Sequence, residues 1–256
     1  MKDIALQIIT DKADNKLNVL REYLQNYLLF LMQRIGIASG IYFLGGTALR
    51  FLYRIRRYSE DLDFSAGETW VPYHFESYME KIERGLEKAG YSCMVKIKDN
   101  QVVQKAIIGF NNLLSEAGLV QKRKQKLSIH IEIDLKPPPG WNSKKTVVDL
   151  YMPVLLQHYD LPSMFAGKLH AVLTREYSKG RDIFDLFWYR SRWGNILPNF
   201  ILLNHALSQT EKNFVTLTES NWLEILSKKI NSLNWKQVMN DVNPFLEFKD
   251  DSLTFT

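Results

Sequence analysis

An α+β lobe built on a mixed sheet, followed by a mainly helical lobe, is the fold that this 256-residue chain predicts. Three observations carry the prediction. Strand-like and helix-like segments interleave as far as residue 135. The run Lys136-Pro137-Pro138-Pro139-Gly140 then ends the strand region, because proline cannot donate to a sheet ladder. Beyond Met152 the apolar spacing is almost wholly helical, and strands followed by a run of helices indicate an α+β architecture. The expected lobes are residues 1–150 and 151–256, with a cleft between them.

Each element has its own signal. Residues 13–34 place Leu17, Leu20, Leu24, Tyr27, Leu28 and Leu31 at helical spacing. Residues 41–44 form a short apolar strand, and Gly45-Gly46 lets the backbone turn sharply after it. Thr47 is placed to cap a helix reaching about residue 53. The next strand holds residues 62–64; Pro72 then opens a helix that runs to about residue 89 and stops at Gly90. Strands follow at 91–97, 102–110 and 127–135. The last alternates, with Ile129, Ile131, Ile133 and Leu135 on one face and His130, Glu132 and Asp134 on the other. Helices are expected at 162–175, 181–191, 198–207, 219–229 and 235–239.

Composition narrows the class. No stretch approaches the roughly 20 apolar residues that span a bilayer, and the N-terminus lacks a signal peptide's apolar centre, so no membrane role and a cytoplasmic location are expected. The single cysteine, Cys93, excludes an internal disulfide framework and a cysteine-based zinc cluster. A net charge of +5 suits a nucleic-acid partner without requiring one. Basic residues cluster at 54–57, 122–126, 179–181 and 190–192. Beside a nucleotide site, such a strip would hold RNA phosphates without reading sequence.

The chemistry concentrates between residues 41 and 65. A glycine pair at a strand-to-helix turn lets the chain approach an anion, and the first free N–H groups of the helix favour phosphate. Gly45, Gly46 and Thr47 are therefore candidate nucleotide-binding residues, the threonine hydroxyl facing a phosphate oxygen. Asp61 and Asp63 lie two apart in a strand and share a face. Two like charges so placed call for a cation between them, and Mg²⁺ or Mn²⁺ suits oxygen ligands. A plain tight turn and a solvated strand face balanced by Arg54, Arg56 and Arg57 are the bland alternatives.

Four blocks in order give the chain a resemblance: GGTAL (45–49), RYSEDLDF (57–64), KLHAVLTR (168–175) and RDIFDL (181–186). Across residues 42–188 it resembles the AbiEii/AbiGii-type nucleotidyltransferase toxins of abortive infection, within the DNA polymerase β-like superfamily. Many relatives carry Gly-Ser where this chain has Gly46-Thr47, and a hydroxyl is kept. The resemblance implies a polymerase β-like nucleotidyltransferase lobe and Ser59 within the nucleotide site. It implies a third metal-binding carboxylate on a later strand. Glu132 or Asp134 fits that place, Glu132 being favoured because it lies mid-strand. It makes Lys168 a site residue that neutralises triphosphate charge, with Arg175 two turns on and able to reach the same anion. Asp185, in the RDxxD block, is expected to pair with Lys168 or to act on the attacking hydroxyl; for Asp182 both capping and function stand open.

The implied activity is metal-dependent transfer of a nucleoside monophosphate from a nucleoside triphosphate to an acceptor hydroxyl. Asp61, Asp63, Lys168 and Asp185 are its catalytic residues, and Asp61, Asp63 and Glu132 its metal ligands. The resemblance further implies a tRNA 3′ end as acceptor and a cognate antitoxin as partner. Two alternatives stand beside this reading: nucleotidylation of a protein or small molecule, and an inert module that binds RNA or a partner.

Overall fold

The computed structural model describes every residue except 13, 101, 121–125, 178, 249–250 and 252–256. The chain divides into two compact units. One comprises Met1–Tyr53, Tyr58–Pro137 and Lys145–His158; the other comprises Arg54–Arg57, Pro138–Lys144 and Tyr159–Thr256.

In chain order the described residues form α1 (Lys2–Thr10), α2 (Lys16–Arg34), β1 (Ile41–Leu44), α3 (Gly45–Tyr53), β2 (Leu62–Ala66) and α4 (Phe75–Lys88). They continue with β3 (Cys93–Asp99), β4 (Val103–Phe110), α5 (Leu113–Glu116), β5 (Leu127–Asp134), β6 (Ser143–Asp149) and β7 (Pro153–Tyr159). The helices α6 (Leu161–Thr174), α7 (Gly180–Arg192), α8 (Phe200–Thr210), α9 (Trp222–Asn231) and α10 (Trp235–Val242) complete them. The strands make one sheet in the order β3-β4-β5-β2-β1-β7-β6. It is mixed: β1 pairs antiparallel with β2 and parallel with β7, while β2 and β5 run parallel. The expected α+β class with a helical C-terminal portion is what the chain adopts.

Two strands were not expected. The proline run was read as the end of the sheet, and everything past Met152 as helical, yet β6 and β7 follow it. β6 has one buried residue, Val148, so its polar sequence shows no apolar alternation. β7 opens on Pro153, the position in a strand where a missing N–H is tolerated. A helix at the extreme N-terminus, α1, was also missed.

The first unit's core is apolar sheet against helix. Phe43, Leu62, Ile129, Ile131 and Ile133 are buried, as are Leu20, Leu24 and Leu28 of α2. The same helix buries a polar stripe at helical spacing: Asn18, Glu22, Gln25 and Asn26. Each serves a loop or a neighbour. Glu22 accepts hydrogen bonds from Arg50 at 2.6 Å and from the Tyr151 hydroxyl at 3.0 Å. Asn26 accepts from the Met152 N–H at 2.9 Å, and the Gln25 amide donates to the Ser59 carbonyl at 3.1 Å. That last bond fixes the loop that enters β2.

The second unit packs around aromatic rings. Phe165 stacks on Tyr189 with centroids 4.5 Å apart and meets Trp222 edge-on at 5.8 Å. Its short segment Arg54–Arg57 is held by the C-terminal stretch, through a bridge between Arg57 and Leu246 and a bond from the Glu247 N–H to the Arg56 carbonyl at 3.1 Å.

Candidate active site

β1 ends at Leu44, directly opposite Asp63 of β2, and α3 begins at once with Gly45. Gly45 has φ +81°, and a Cβ there would overlap the Asp63 carboxylate. Glycine is thus needed twice, for the turn and for the close approach of backbone to an anionic oxygen. Thr47 sits inside the first turn rather than at the cap, because the helix already starts at Gly45. It is fully buried, and its hydroxyl donates to the Asp61 carbonyl. The threonine therefore ties the helix to the strand entrance carrying Asp61.

Asp61 and Asp63 are both partly exposed, while Leu62 and Phe64 between and beyond them are buried, as strand alternation requires. The parallel register of β2 on β5 places Glu132 opposite Asp63, and Asp134 opposite Ser65. Glu132 is thus the β5 carboxylate level with the aspartate pair. Its carboxylate, however, is ion-paired with Lys105 of β4. His130, on the same face, lies with Nδ1 3.3 Å from Asp61 Oδ1. Burial pushes the Asp61 carboxyl above its usual range; His130 opposes this, but Glu60 and Glu132 add to the rise. Lys105 opposes the rise as well, yet the net shift is upward. A pocket of about 270 Å³ opens beside Asp61, with Arg21, Lys126 and His130 among its walls.

These residues suit a hard divalent ion in one respect. Asp61 and Asp63 flank the buried Leu62 and both stay partly exposed, and the Asp61 carboxyl is held above its usual range. Among the described residues no three His, Cys, Asp or Glu side chains gather around one point. Mg²⁺ commonly takes only one or two protein carboxylates and completes its shell with water and substrate phosphates, so the Asp61–Asp63 pair fits it.

The second unit holds a different cluster. Asp185 of α7 is wholly buried, and Arg57 grips it with a two-pronged fork, Nε to Oδ1 and Nη2 to Oδ2, both at 2.6 Å. Lys168 of α6 lies 2.8 Å from Asp185 Oδ2 and 2.9 Å from Asp182 Oδ1, and Arg175 closes the chain on Asp182. Burial works against the Lys168 ammonium, but the two aspartates outweigh it and raise its pKa. For Asp182, burial pushes the carboxyl up, yet Lys168 and Arg175 overcome that and hold it low. The expected pairing of Asp185 with Lys168 is present. Asp182 does not cap α7; Lys179 stands at the N-cap, and the Asp182 carboxylate takes Lys168 and Arg175.

The structure thus brings Gly45, Gly46, Thr47, Ser59, Asp61, Asp63 and Glu132 into one unit, and Lys168, Arg175, Asp182 and Asp185 into the other. Arg57 was missed as the partner of Asp185. It had been read as balancing a strand face, although it opens the RYSEDLDF block. The basic cluster at 122–126 lies outside the described residues except for Lys126.

Comparison with known proteins supplies the family. A crystal structure from H. pylori, provisionally assigned there as a nucleotidyltransferase, shares the fold with a TM-score of 0.53 at 17% identity, covering 94% of this chain and 92% of its own. JHP933 from Helicobacter pylori aligns with a TM-score of 0.49 at 19% identity over 87% of this chain and 99% of its own. No curated protein matches at comparable significance. Among the described residues, no helix is long and apolar enough to cross a membrane. The profile of the AbiEii nucleotidyl transferase toxins of type IV toxin–antitoxin systems matches residues 28–250, and the chain therefore belongs to that family of nucleotidyltransferases.

Proposed function

We propose that this nucleotidyltransferase moves a nucleoside monophosphate from a nucleoside triphosphate onto the 3′ hydroxyl of a tRNA, with Asp61 and Asp63 holding Mg²⁺ or Mn²⁺. The single observation that carries the reading is the Gly45 turn pressed against Asp63, two residues from a partly exposed Asp61 whose carboxyl is raised chiefly by burial. The glycine turn and the first N–H groups of α3 receive phosphate oxygens. The acceptor hydroxyl attacks the α-phosphorus in line and pyrophosphate leaves. A bound divalent ion supplies neutralisation of the triphosphate charge. Thr47 keeps Asp61 in place through its carbonyl, and Lys105 keeps Glu132 turned aside until a cation competes for it.

Lys168 stays in the proposal as a cation for the triphosphate. An ammonium has three protons; Asp182 and Asp185 take two, and the third is left for a phosphate oxygen. Type IV membership implies an antitoxin partner. The test is incubation with each labelled triphosphate, Mg²⁺ and total tRNA, beside an Asp61→Ala, Asp63→Ala control. Label in tRNA that needs the aspartate pair supports the reading. Label on the protein itself moves the acceptor, and label nowhere ends the reading of this chain as a tRNA-modifying transferase.

A further inference from the structure

We propose that a pocket within the second unit, framed by Arg54, Arg56, Arg192, Phe187 and Trp188, docks an unpaired nucleotide of single-stranded RNA. Two of the basic clusters seen in the sequence, 54–57 and 190–192, converge there although more than a hundred residues separate them. The pocket measures about 450 Å³, in the range of small-ligand sites.

Its chemistry is that of nucleotide recognition. Three guanidiniums line it against one carboxylate, Asp251, which lies 3.5 Å from Arg56. Among the described residues no carboxylate pairs with Arg54 or Arg192, so the pocket carries surplus positive charge suited to phosphate. Arg54 takes φ +58°, a left-handed backbone uncommon outside glycine, and its side chain is exposed. Phe187 is 39% exposed and lines the pocket, an aromatic wall for a base. Trp188 behind it is buried and braced edge-on by Trp193 at 4.6 Å, which makes a rigid wall. An acidic peptide would use the arginines but leave the aromatic face idle. The Ser191 hydroxyl, which donates to the Trp188 carbonyl at 3.1 Å, keeps its lone pairs for a ribose 2′-hydroxyl. That favours RNA over DNA. Naming this RNA as the acceptor rests on the proposed function; the binding pocket stands without it.

The experiment measures fluorescence anisotropy of a labelled single-stranded oligoribonucleotide across salt, in the Asp61→Ala, Asp63→Ala background so that no transfer intervenes. Arg54→Asn, Arg56→Ala and Arg192→Ala together should reduce the slope of log affinity against log salt by about 2, at about 0.7 per lost phosphate contact. Asparagine is chosen at 54 because it tolerates the left-handed backbone. Phe187→Ala should weaken binding roughly tenfold and leave the salt slope unchanged, a split that general misfolding would not produce. Unchanged affinity in both variants, equal binding of a blunt duplex or of the matching DNA strand, or full displacement by an acidic peptide would each overturn the assignment. If the pocket variants lose RNA while the native protein labels no RNA, the pocket stands and the proposed acceptor falls. If the same substitutions made in the native background leave labelling of RNA unchanged, the pocket does not hold the acceptor, and the proposed function stands.

Discussion

Carboxylates in the two units meet opposite fates. In the first, the Asp61 and Glu132 side chains keep 41% and 33% of their exposure, and burial with neighbouring acids raises the Asp61 pKa. In the second, Asp185 is fully buried and Asp182 nearly so, yet a chain of alternating signs runs through Arg57, Asp185, Lys168, Asp182 and Arg175. There Asp182 is held low. At Asp61, burial and the neighbouring acids outweigh His130 and Lys105. An acid saturated by arginine and lysine is set up to hold its helices together. The contrast separates a partly exposed acid from a buried, ion-paired frame, although both stand among aspartates and basic residues.

The strongest break in that contrast is the double variant Asp61→Ala, Asp63→Ala. Transfer should fall by at least about 10³-fold, since both positioned carboxylates are lost, while thermal stability holds or rises. A melting temperature that drops with activity would make the pair structural. Next comes Asp185→Ala. It leaves Arg57 and Lys168 buried without a shared anion and should cost about 3–5 kcal/mol in urea unfolding. Combining it with Arg57→Met should recover part of that loss. A smaller effect is expected from Lys168→Met, because Asp185 keeps its Arg57 fork and Asp182 keeps Arg175. Stability should fall by about 1–3 kcal/mol. Transfer should fall much further, and a loss no larger than the unfolded fraction explains would confine Lys168 to the frame.

The smallest effect is the dependence on pH, and it has opposite signs in the two regions. Asp182 has a depressed folded pKa, so its contribution is present above the ordinary carboxylate range and is lost as pH falls through the depressed value. Asp61 has a raised folded pKa, so its ionised form opposes folding at neutral pH, and that opposition is relieved as pH falls through the raised value. Asp61→Asn should therefore match or exceed the native protein in stability at neutral pH. Asp182→Asn should be weaker there and should show a flatter loss of stability in acid. Urea titrations at a series of pH values check both; slopes of the same sign would show that the two acids do not differ in kind.

Much of the first region was legible because its signals are local. The Gly45-Gly46 turn, the Asp61–Asp63 spacing and the alternation of β5 each occupy a few residues, and strand periodicity alone places Glu132 and Asp134 on one polar face. Which of them stands level with Asp63 is set by the register of β2 on β5, which no single strand reveals. The second region was legible only in part. The helices and the Lys168–Asp185 pair followed from spacing and resemblance, but Arg57 did not, since its partner lies 128 residues away. β6 escaped because an exposed, lysine-bearing strand carries no apolar period. β7 escaped because its short apolar stretch stands just ahead of a long helical run.

The fork from Arg57 to Asp185 also sets a timetable. At about 5–20 residues per second, a ribosome delivers Arg57 roughly ten seconds before Asp185 exists. Through that interval the guanidinium has no Asp185 to grip, and the four-residue segment around it has no α7 to join. A polypeptide released before residue 185 can form much of the sheet, carrying Asp61 and Asp63, but never the ion chain. The second unit is thus assembled from segments far apart in the chain, and its folding waits on residues more than a hundred positions after Arg57.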